Sequence, residues 1–451
     1  MKIHFIAIGG SAMHNLAIAL YKKGHQVTGS DDEIFDPAKS RLEKYGILPK
    51  NIGWDINNIS EEIDAVILGM HAKNDNPELI KAEKLEIKIY SYPEFLYEMS
   101  KEKTRIVIGG SHGKTSITAM ILHVLNKLNI DTDYMVGAQL EGFEVMVKLT
   151  DKAKYMVIEG DEYLTSPIDL RPKFHLYQPN IALISGIAWD HINVFPTFDI
   201  YVEQFRIFCQ KIRENGSLIY CQEDSIVKDI SEKSRQDIEK LPYGIIPHII
   251  ENGKTFVIWD KKEYPIEIFG KHNLMNLYGA MLVCERIGVS NEDFLREIGS
   301  FTGASKRLEL VKKNDNVEIY KDFAHSPSKL KATITALKEQ FPKRKLIAIM
   351  ELHTFSSLNA EFLLQYKGSM DMADEALVYF NPHTIAHKGL SEITIQQVFE
   401  AFGRDDIKVF TQSADVVVSI KNYKWENTNL LMMSSGNFDG IVFEELADEL
   451  I

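Results

Sequence analysis

The stretch that decides the fold is the run Gly109-Gly110-Ser111-His112-Gly113-Lys114-Thr115. It follows a short apolar segment, 105–108, that is typical of a buried parallel strand, and it precedes a segment whose apolar residues recur at helical spacing over 117–128. Strand, glycine-rich turn and helix in this order are the context of a phosphate-binding loop, in which backbone N–H groups and the helix N-terminus face phosphate oxygens. The run therefore predicts a nucleotide site.

Two side chains at the end of the run carry the phosphate chemistry. Lys114 is expected to reach the β- and γ-phosphates, and the hydroxyl of Thr115 is expected to bind Mg²⁺. The usual loop has a glycine five places before Gly113, where this chain has Ile108, so the loop is a shortened form. The expected ATP-binding residues of the loop are Gly110, Ser111, His112, Gly113, Lys114, Thr115 and Ser116.

Alternating strand and helix patterns extend outward from this loop along the whole chain. Expected strands cover residues 3–8, 26–29, 65–68, 155–159, 181–185, 317–320, 346–350, 376–380 and 430–433. Such alternation predicts an α/β fold with parallel sheets covered by helices. At ~100–200 residues per domain, 451 residues suggest three domains. We predict a Rossmann-like N-terminal domain over 1–100, a central parallel sheet of the phosphate-loop ATPase type over 101–299, and a Rossmann-like α/β domain over 300–451.

Composition excludes several classes of protein. Hydrophobic residues make up 45% of the chain and charged residues 25%, the balance of an ordinary globular protein. No apolar stretch approaches the ~20 residues of a membrane helix, and the three cysteines have no metal-like spacing, so we expect a cytoplasmic protein with no membrane partner. The net charge of −13 argues against nucleic-acid binding.

The N-terminus carries a second glycine-rich turn, Gly9-Gly10-Ser11-Ala12-Met13, between an expected strand and an expected helix. It suggests dinucleotide binding, with Asp31 on the ribose. As a dinucleotide fingerprint it is incomplete, because Ala7 stands where the first glycine belongs. An oxidoreductase is therefore the less favoured interpretation of this turn.

Further segments identify a family. In chain order they are Glu159-Gly160-Asp161-Glu162-Tyr163, Trp189-Asp190-His191, Gly270-Lys271-His272-Asn273-Leu274-Met275-Asn276, Arg307-Leu308-Glu309 and Asp322-Phe323-Ala324-His325-Ser326-Pro327. Together with the phosphate loop and the N-terminal turn, they resemble the motifs of the Mur ligases over the whole chain. The resemblance implies a three-domain, ATP-dependent amide-bond ligase that works through an acyl phosphate.

The resemblance also implies a set of site residues. The catalytic residues would be Lys114, Glu159, His191 and Arg307. The metal ligands for Mg²⁺, or for Mn²⁺ in its place, would be Thr115, Glu159 and His191. Beyond the loop, ATP would contact Asn273, Asn276, Arg307, Asp322 and His325. The UDP-sugar would contact Gly9, Gly10, Ser11, Met13, Ser30, Asp31 and His71.

Within the Mur ligases, residues 161–163, 322–325 and 433–441 resemble the murein-tripeptide ligases more than the L-alanine-adding ligases. The former join L-alanyl-γ-D-glutamyl-meso-diaminopimelate to UDP-N-acetylmuramate during peptidoglycan recycling. The resemblance therefore implies UDP-N-acetylmuramate and a murein tripeptide, or a related peptide, as small-molecule substrates, with a monomer as the favoured state. Lysines near the Asp322–His325 loop would suit a substrate with several carboxylates; they are Lys306, Lys321 and Lys329.

Some positions depart from the family pattern. Arg206 stands where many Mur ligases have a lysine that supports the metal, a departure shared with both the tripeptide and the L-alanine ligases. Four others lie in the third domain, and they are Lys306, Lys321, Ser326 and His353. Because that domain binds the incoming amine in the family, L-alanine addition stays open. A folylpolyglutamate-synthase-like enzyme and a nucleotide-binding regulator without ligase activity are the remaining alternatives.

Overall fold

The chain begins with a sheet of four parallel strands. They are β1 (Lys2–Ile6), β2 (Gln26–Ser30), β3 (Ala65–Leu68) and β4 (Ile89–Ser91), in the order β2-β1-β3-β4. The accompanying helices are α1 (Ser11–Lys22), α2 (Ala38–Lys44), α3 (Pro77–Lys84) and α4 (Tyr92–Ser100). Side chains of Asn76 and Ser91 accept hydrogen bonds from the first turns of α3 and α4, which fixes where these helices begin. The predicted Rossmann-like arrangement is confirmed.

The central sheet follows, together with a short hairpin. Its strands are β5 (Thr104–Gly109), β6 (Thr132–Met135), β7 (Val147–Lys148), β8 (Tyr155–Glu159), β11 (Ile181–Ile184), β12 (Ser217–Cys221) and β13 (Glu239–Tyr243), and the hairpin pairs β9 (Leu164–Ser166) with β10 (Asp169–Pro172). The sheet order is β13-β12-β11-β5-β8-β6-β7, parallel except for β7 against β6. The helices are α5 (Lys114–Lys127), α6 (Phe198–Gln210) and α7 (Ser225–Glu232). Because β8 and β11 flank β5, their carboxyl ends lie beside the phosphate loop.

A small antiparallel sheet comes next, and the sequence patterns did not predict it. Its strands are β14 (His248–Glu251), β15 (Lys254–Trp259) and β16 (Lys262–Ile266). Two helices follow, α8 (Lys271–Arg286) and α9 (Asn291–Ile298). The side chain of Thr255 in β15 donates a hydrogen bond to Gln340, which lies 85 residues later.

The last sheet has six strands in the order β17-β18-β22-β19-β20-β21, parallel except for β17 against β18. They are β17 (Glu309–Lys313), β18 (Glu318–Asp322), β19 (Lys345–Leu352), β20 (Glu375–Phe380), β21 (Lys408–Phe410) and β22 (Thr428–Met433). The helices are α10 (Pro327–Gln340), α11 (Ala360–Leu363), α12 (Pro382–His387), α13 (Ile395–Phe402), α14 (Ser413–Lys421) and α15 (Phe443–Leu450). Along β19, Ala348 and Met350 face one apolar core, whereas Ile347 and Ile349 face another. Burial on both faces explains the continuous apolar run of this strand.

The computed structural model describes residues 1–140, 142–189, 194–303 and 308–451. The chain forms two compact units, one of Met1–Ile246 with Met275–Ile298 and one of Pro247–Leu274 with Gly299–Ile451. In the first unit a single apolar core runs from Phe5 in β1 to Val107 in β5, so the N-terminal and central sheets pack together. The second unit takes in the small antiparallel sheet. The division into three domains, 1–100, 101–299 and 300–451, stays a prediction.

None of the helices in these described ranges is long and apolar enough to cross a membrane.

Candidate active site

The phosphate loop joins β5 to α5 as the sequence predicts, and its glycines are required by backbone geometry. Gly110 and Gly113 have φ values of 129° and 77°, which side-chain-bearing residues rarely adopt. A Cβ atom at Gly113 would lie 2.5 Å from Oδ1 of Asn276, and one at Gly110 would collide with Oγ of Ser185. The loop is thus closely packed, and Asn276, a predicted ATP contact, lies beside it.

Lys114, the first residue of α5, is held in an ion pair. Its Nζ donates to Oε2 of Glu162 and to the carbonyl oxygen of Gly110, each at 2.6 Å. The Glu162 side chain is only 1% exposed. Burial acts to lower the pKa of Lys114, but the carboxylate of Glu162 outweighs it and the pKa is raised. Lys114 therefore presents a permanent positive charge at the loop.

A hydrogen-bonded ring connects this ion pair back to the loop. The backbone N–H of Ala188 donates to Oγ of Ser111 at 2.9 Å, and Ser111 lies 2.9 Å from the Tyr201 hydroxyl. Tyr201 in turn donates to Oε1 of Glu162 at 2.9 Å. Because a carboxylate only accepts, the ring has one direction, from Ser111 through Tyr201 to Glu162. Sequence reasoning missed Tyr201, since no motif marks it.

We expect Tyr201→Phe to lower turnover by up to about tenfold, because loss of one neutral hydrogen bond loosens Glu162 and hence Lys114. The measurement is kcat and KM for ATP, with ADP release as the signal. A matched control is Tyr177→Phe, since the buried Tyr177 hydroxyl has no hydrogen-bond partner in the described part of the chain. Equal kinetics in the two variants would remove Tyr201 from the site.

Thr115 and Glu159 form the candidate metal centre. Oγ1 of Thr115 donates to Oε1 of Glu159 at 2.8 Å, and Oε2 accepts from the backbone N–H of Gly137 at 3.0 Å. Burial raises the pKa of Glu159, so a cation beside this carboxylate would stabilise its charged form. Two adjacent oxygen donors of this kind fit a hard cation such as Mg²⁺.

Several predicted residues cannot be placed with this centre. Asp190, His191, Lys306 and Arg307 lie outside the described residues. Asn273, Asp322 and His325 belong to the second unit. Within that unit, the Asp322 carboxylate accepts from the backbone N–H of Ala324 at 2.6 Å and also from that of Leu308, so it organises its own loop.

The N-terminal glycine turn lies against the end of β2. The backbone N–H of Gly9 donates to Oδ2 of Asp31 at 2.6 Å, and Nε2 of His71 lies 3.2 Å from Oδ1 of the same carboxylate. This hydrogen bond to Asp31 raises the pKa of His71. In addition, a Cβ atom added to Gly10 would lie 3.5 Å from both Cε1 of His71 and Cγ of Met13. The structure thus brings five predicted UDP-sugar residues together.

Ser30 is placed differently from these five. Its hydroxyl is buried and donates to Glu78, a residue that is itself fully buried. Glu78 also accepts from the backbone N–H of Asp55 and from Nδ2 of Asn58, both at 2.9 Å. The Ser30 side chain is therefore engaged in the interior network behind the turn.

Comparison with known proteins covers nearly the whole chain. Family models match residues 2–104 (Mur ligase family, catalytic domain), 108–284 (Mur ligase middle domain) and 306–436 (Mur ligase, glutamate ligase domain). The chain is 32% identical over 414 residues to a UDP-N-acetylmuramate--L-alanine ligase of Caldicellulosiruptor bescii, covering 88% of this chain and 87% of that one.

Two further comparisons concern ligases that act on murein peptides. The chain is 26% identical over 461 residues to the UDP-N-acetylmuramate--L-alanyl-gamma-D-glutamyl-meso-2,6-diaminoheptandioate ligase of Haemophilus influenzae, covering 99% of each chain. A solved murein peptide ligase of Psychrobacter arcticus has the same fold, with a TM-score of 0.62 at 24% identity over 100% of this chain and 98% of that one.

Proposed function

The chain belongs to the Mur ligase family of ATP-dependent ligases, and from that premise we propose that it joins a peptide beginning with L-alanyl-γ-D-glutamate to UDP-N-acetylmuramate. The arrangement of Lys114, Thr115 and Glu159 around the phosphate loop is the observation that carries the ATP-dependent part of this proposal. Joining a carboxylate to an amine in water is uphill, so the carboxylate needs activation. Transfer of the γ-phosphoryl group from ATP to the carboxylate gives an acyl phosphate and ADP. The amine then attacks the acyl carbon, the amide bond forms and inorganic phosphate leaves.

This chemistry requires positioning and charge neutralisation rather than a protein nucleophile. Lys114 would neutralise charge on the transferring phosphoryl group, and the loop would orient it. Thr115 and Glu159 would hold Mg²⁺, which when bound neutralises charge on the phosphates and aligns them. Glu162 and Gly110 take two of the three N–H groups of Lys114, and a phosphate oxygen would accept from the third.

The UDP-sugar is assigned to the N-terminal sheet in this proposal. The Gly9–Gly10 turn would receive the diphosphate, with Asp31 and His71 at its edge. We further propose the three-domain division 1–100, 101–299 and 300–451. In this division the third domain contributes Arg307, Asp322 and His325 to ATP binding.

The Haemophilus influenzae relative, whose name specifies such a peptide, supports a peptide as the incoming amine. A second candidate is addition of L-alanine, which the Caldicellulosiruptor bescii relative supports, and one structural observation removes a support for the peptide. Nζ of Lys321 lies 3.0 Å from a carboxylate oxygen of Glu309 and 3.1 Å from one of Glu444. The sequence had suggested that Lys321 helps form a cationic patch for peptide carboxylates. The carboxylates of Glu309 and Glu444 instead balance the charge of Lys321 within the protein, so this lysine gives less support to a peptide substrate with several carboxylates.

We expect the protein to prefer the peptide when both amines compete for UDP-N-acetylmuramate. The assay supplies ATP, Mg²⁺, UDP-N-acetylmuramate and equal concentrations of L-alanyl-γ-D-glutamyl-meso-diaminopimelate and L-alanine, and mass spectrometry weighs the products. A peptide site must admit a long substrate, whereas a site selective for L-alanine must be tight, so one product should dominate. Dominance of UDP-N-acetylmuramoyl-alanine would replace the peptide proposal with the second candidate. Omitting each amine in turn is the control for ATP hydrolysis alone.

A further inference from the structure

Two neighbouring residues of α1, His14 and Asn15, are buried behind the N-terminal glycine turn, with 2% and 3% of their surfaces exposed. Nδ1 of His14 lies 2.9 Å from the carbonyl oxygen of Gly10, and Nε2 lies 3.1 Å from Nδ2 of Asn15. A carbonyl oxygen only accepts and an amide nitrogen only donates, so the ring is neutral with its proton on Nδ1. Burial lowers the pKa of His14, which agrees with a neutral ring.

Asn15 uses its whole amide group. Nδ2 donates to the carbonyl oxygen of Ser11 at 2.8 Å as well as to His14. Oδ1 accepts from the backbone N–H of Met146 at 2.9 Å, across 131 residues of sequence. Asn15 thus links the helix behind the N-terminal turn to the segment that leads into β7. Both polar atoms of the Asn15 side chain are hydrogen-bonded and the residue is buried, so the loss of one of these bonds would not be replaced by a bond to solvent.

The connection continues from Met146 to the candidate metal centre. The backbone N–H of Val136 donates to the carbonyl oxygen of Met146 at 2.9 Å. The next residue, Gly137, donates its N–H to Oε2 of Glu159 at 3.0 Å. A displacement of Met146 would therefore move the amide that holds the Glu159 carboxylate.

We propose that Asn15 is a positioning residue that couples the UDP-sugar turn to Glu159, so that UDP-sugar and Mg²⁺-ATP bind cooperatively. The inference rests on the proposed function, since it takes the Gly9–Gly10 turn as the diphosphate site. A ligand that shifts the Gly10 carbonyl oxygen moves His14, then Asn15, then Met146 and the Gly137 amide. Both ligand sites therefore act on the same series of hydrogen bonds, which is the physical condition for coupling between them.

The test measures a coupling factor rather than activity. Titration calorimetry gives the Kd of a non-hydrolysable ATP analogue with Mg²⁺, with and without saturating UDP-N-acetylmuramate. We expect the UDP-sugar to tighten binding by about fivefold or more in the unaltered protein, the lower range of measured couplings. In Asn15→Leu, which fills the same space without polar atoms, the factor should fall close to one.

Glu144→Gln is the matched control. Glu144 accepts hydrogen bonds from Lys22 at 2.8 Å and from Tyr45 at 2.7 Å, so it also links the N-terminal part to the segment before β7. It lies outside the bonded chain, and the coupling factor should survive its replacement. Loss of coupling in Glu144→Gln as well would mean that general docking of the two parts, and not Asn15, carries the effect.

Each remaining outcome also tests either the role of Asn15 or the proposed function. Coupling that persists in Asn15→Leu, or that is missing from the unaltered protein while both ligands bind, would overturn the inference alone. Failure of the unaltered protein to bind UDP-N-acetylmuramate would overturn the proposed function, and the inference with it. Where Asn15→Leu does not fold, His14→Phe breaks the chain one link earlier, and it too should abolish the coupling.

Discussion

Lys114→Ala should release ADP about 10²–10³-fold more slowly than the unaltered protein, because a preorganised positive charge at the transferring phosphoryl group is lost. The structure indicates a second effect of this substitution, a loss of stability. Glu162 is buried and paired with Lys114, so the variant leaves a buried carboxylate without that cation. Breaking a buried pair from one side costs about 3–5 kcal/mol. Because the Lys114 side chain is 15% exposed, we expect the free energy of unfolding to fall by the lower end of that range. The measurements are ADP release under substrate saturation and urea unfolding.

The double variant Lys114→Ala/Glu162→Gln separates the two effects. Removal of the Glu162 charge should restore most of the lost stability, since a neutral amide can still accept from Tyr201. Activity should stay low, because the phosphoryl group still lacks its cation. Recovery of turnover in the double variant would mean that Lys114 matters only as a partner of Glu162, and the phosphate-loop assignment would fail.

The central strands and the phosphate loop were predictable because local patterns determine them. The strand expected over 65–68 is Ala65–Leu68, and the strand expected over 155–159 is Tyr155–Glu159. Both are almost wholly buried, so the apolar run and the strand coincide. The loop was predictable for a similar reason, since strand, glycines, lysine and helix follow one another in the chain.

The small antiparallel sheet was not predictable in the same way. Its first strand, β14, has no buried residue, and β16 has one, at Ile266. Neither strand carries the apolar alternation that marks a half-buried strand. The sheet is held in part by hydrogen bonds between β15 and α10, such as that of Thr255 with Gln340, and no local pattern announces a partner 85 residues away.

The same limit applies to the site. Lys114, Thr115 and Glu159 stand in motifs, and the side chains of Thr115 and Glu159 lie 2.8 Å apart. Their shared role as metal ligands stays a prediction. Tyr201 contacts Ser111 and Glu162, and Gly137 contacts Glu159, only because distant segments fold together, so sequence reasoning passed over both. The same holds for charged residues. From the sequence, Lys321 is a candidate for binding substrate carboxylates, whereas its pairing with two carboxylates of the protein depends on tertiary structure.

Glu159→Gln should lower ligase turnover strongly and raise the Mg²⁺ concentration for half-maximal activity by at least about tenfold, since even supporting residues around a metal commonly change affinity by that much. The substitution keeps the local hydrogen bonds. The amide oxygen can accept from the Gly137 N–H, and the amide nitrogen can donate to Oγ1 of Thr115, in place of the bonds at 3.0 and 2.8 Å. What it removes is the negative charge and one oxygen ligand while the shape of the side chain is kept, so any change in metal requirement reports on ligation and not on shape.

Asp161→Asn is the matched control, because Asp161 is a neighbouring carboxylate that is already neutralised by Lys173 at 2.5 Å. Burial acts to raise the pKa of Asp161, but the Lys173 cation outweighs it and the pKa is lowered, so this carboxylate is charged and satisfied without metal. Its replacement should shift the Mg²⁺ titration far less than Glu159→Gln does. Direct Mn²⁺ binding, followed by electron paramagnetic resonance, checks the same ranking without turnover. Equal Mn²⁺ affinity in Glu159→Gln and the unaltered protein would exclude Glu159 as a ligand and leave the Thr115–Glu159 pair a structural contact only.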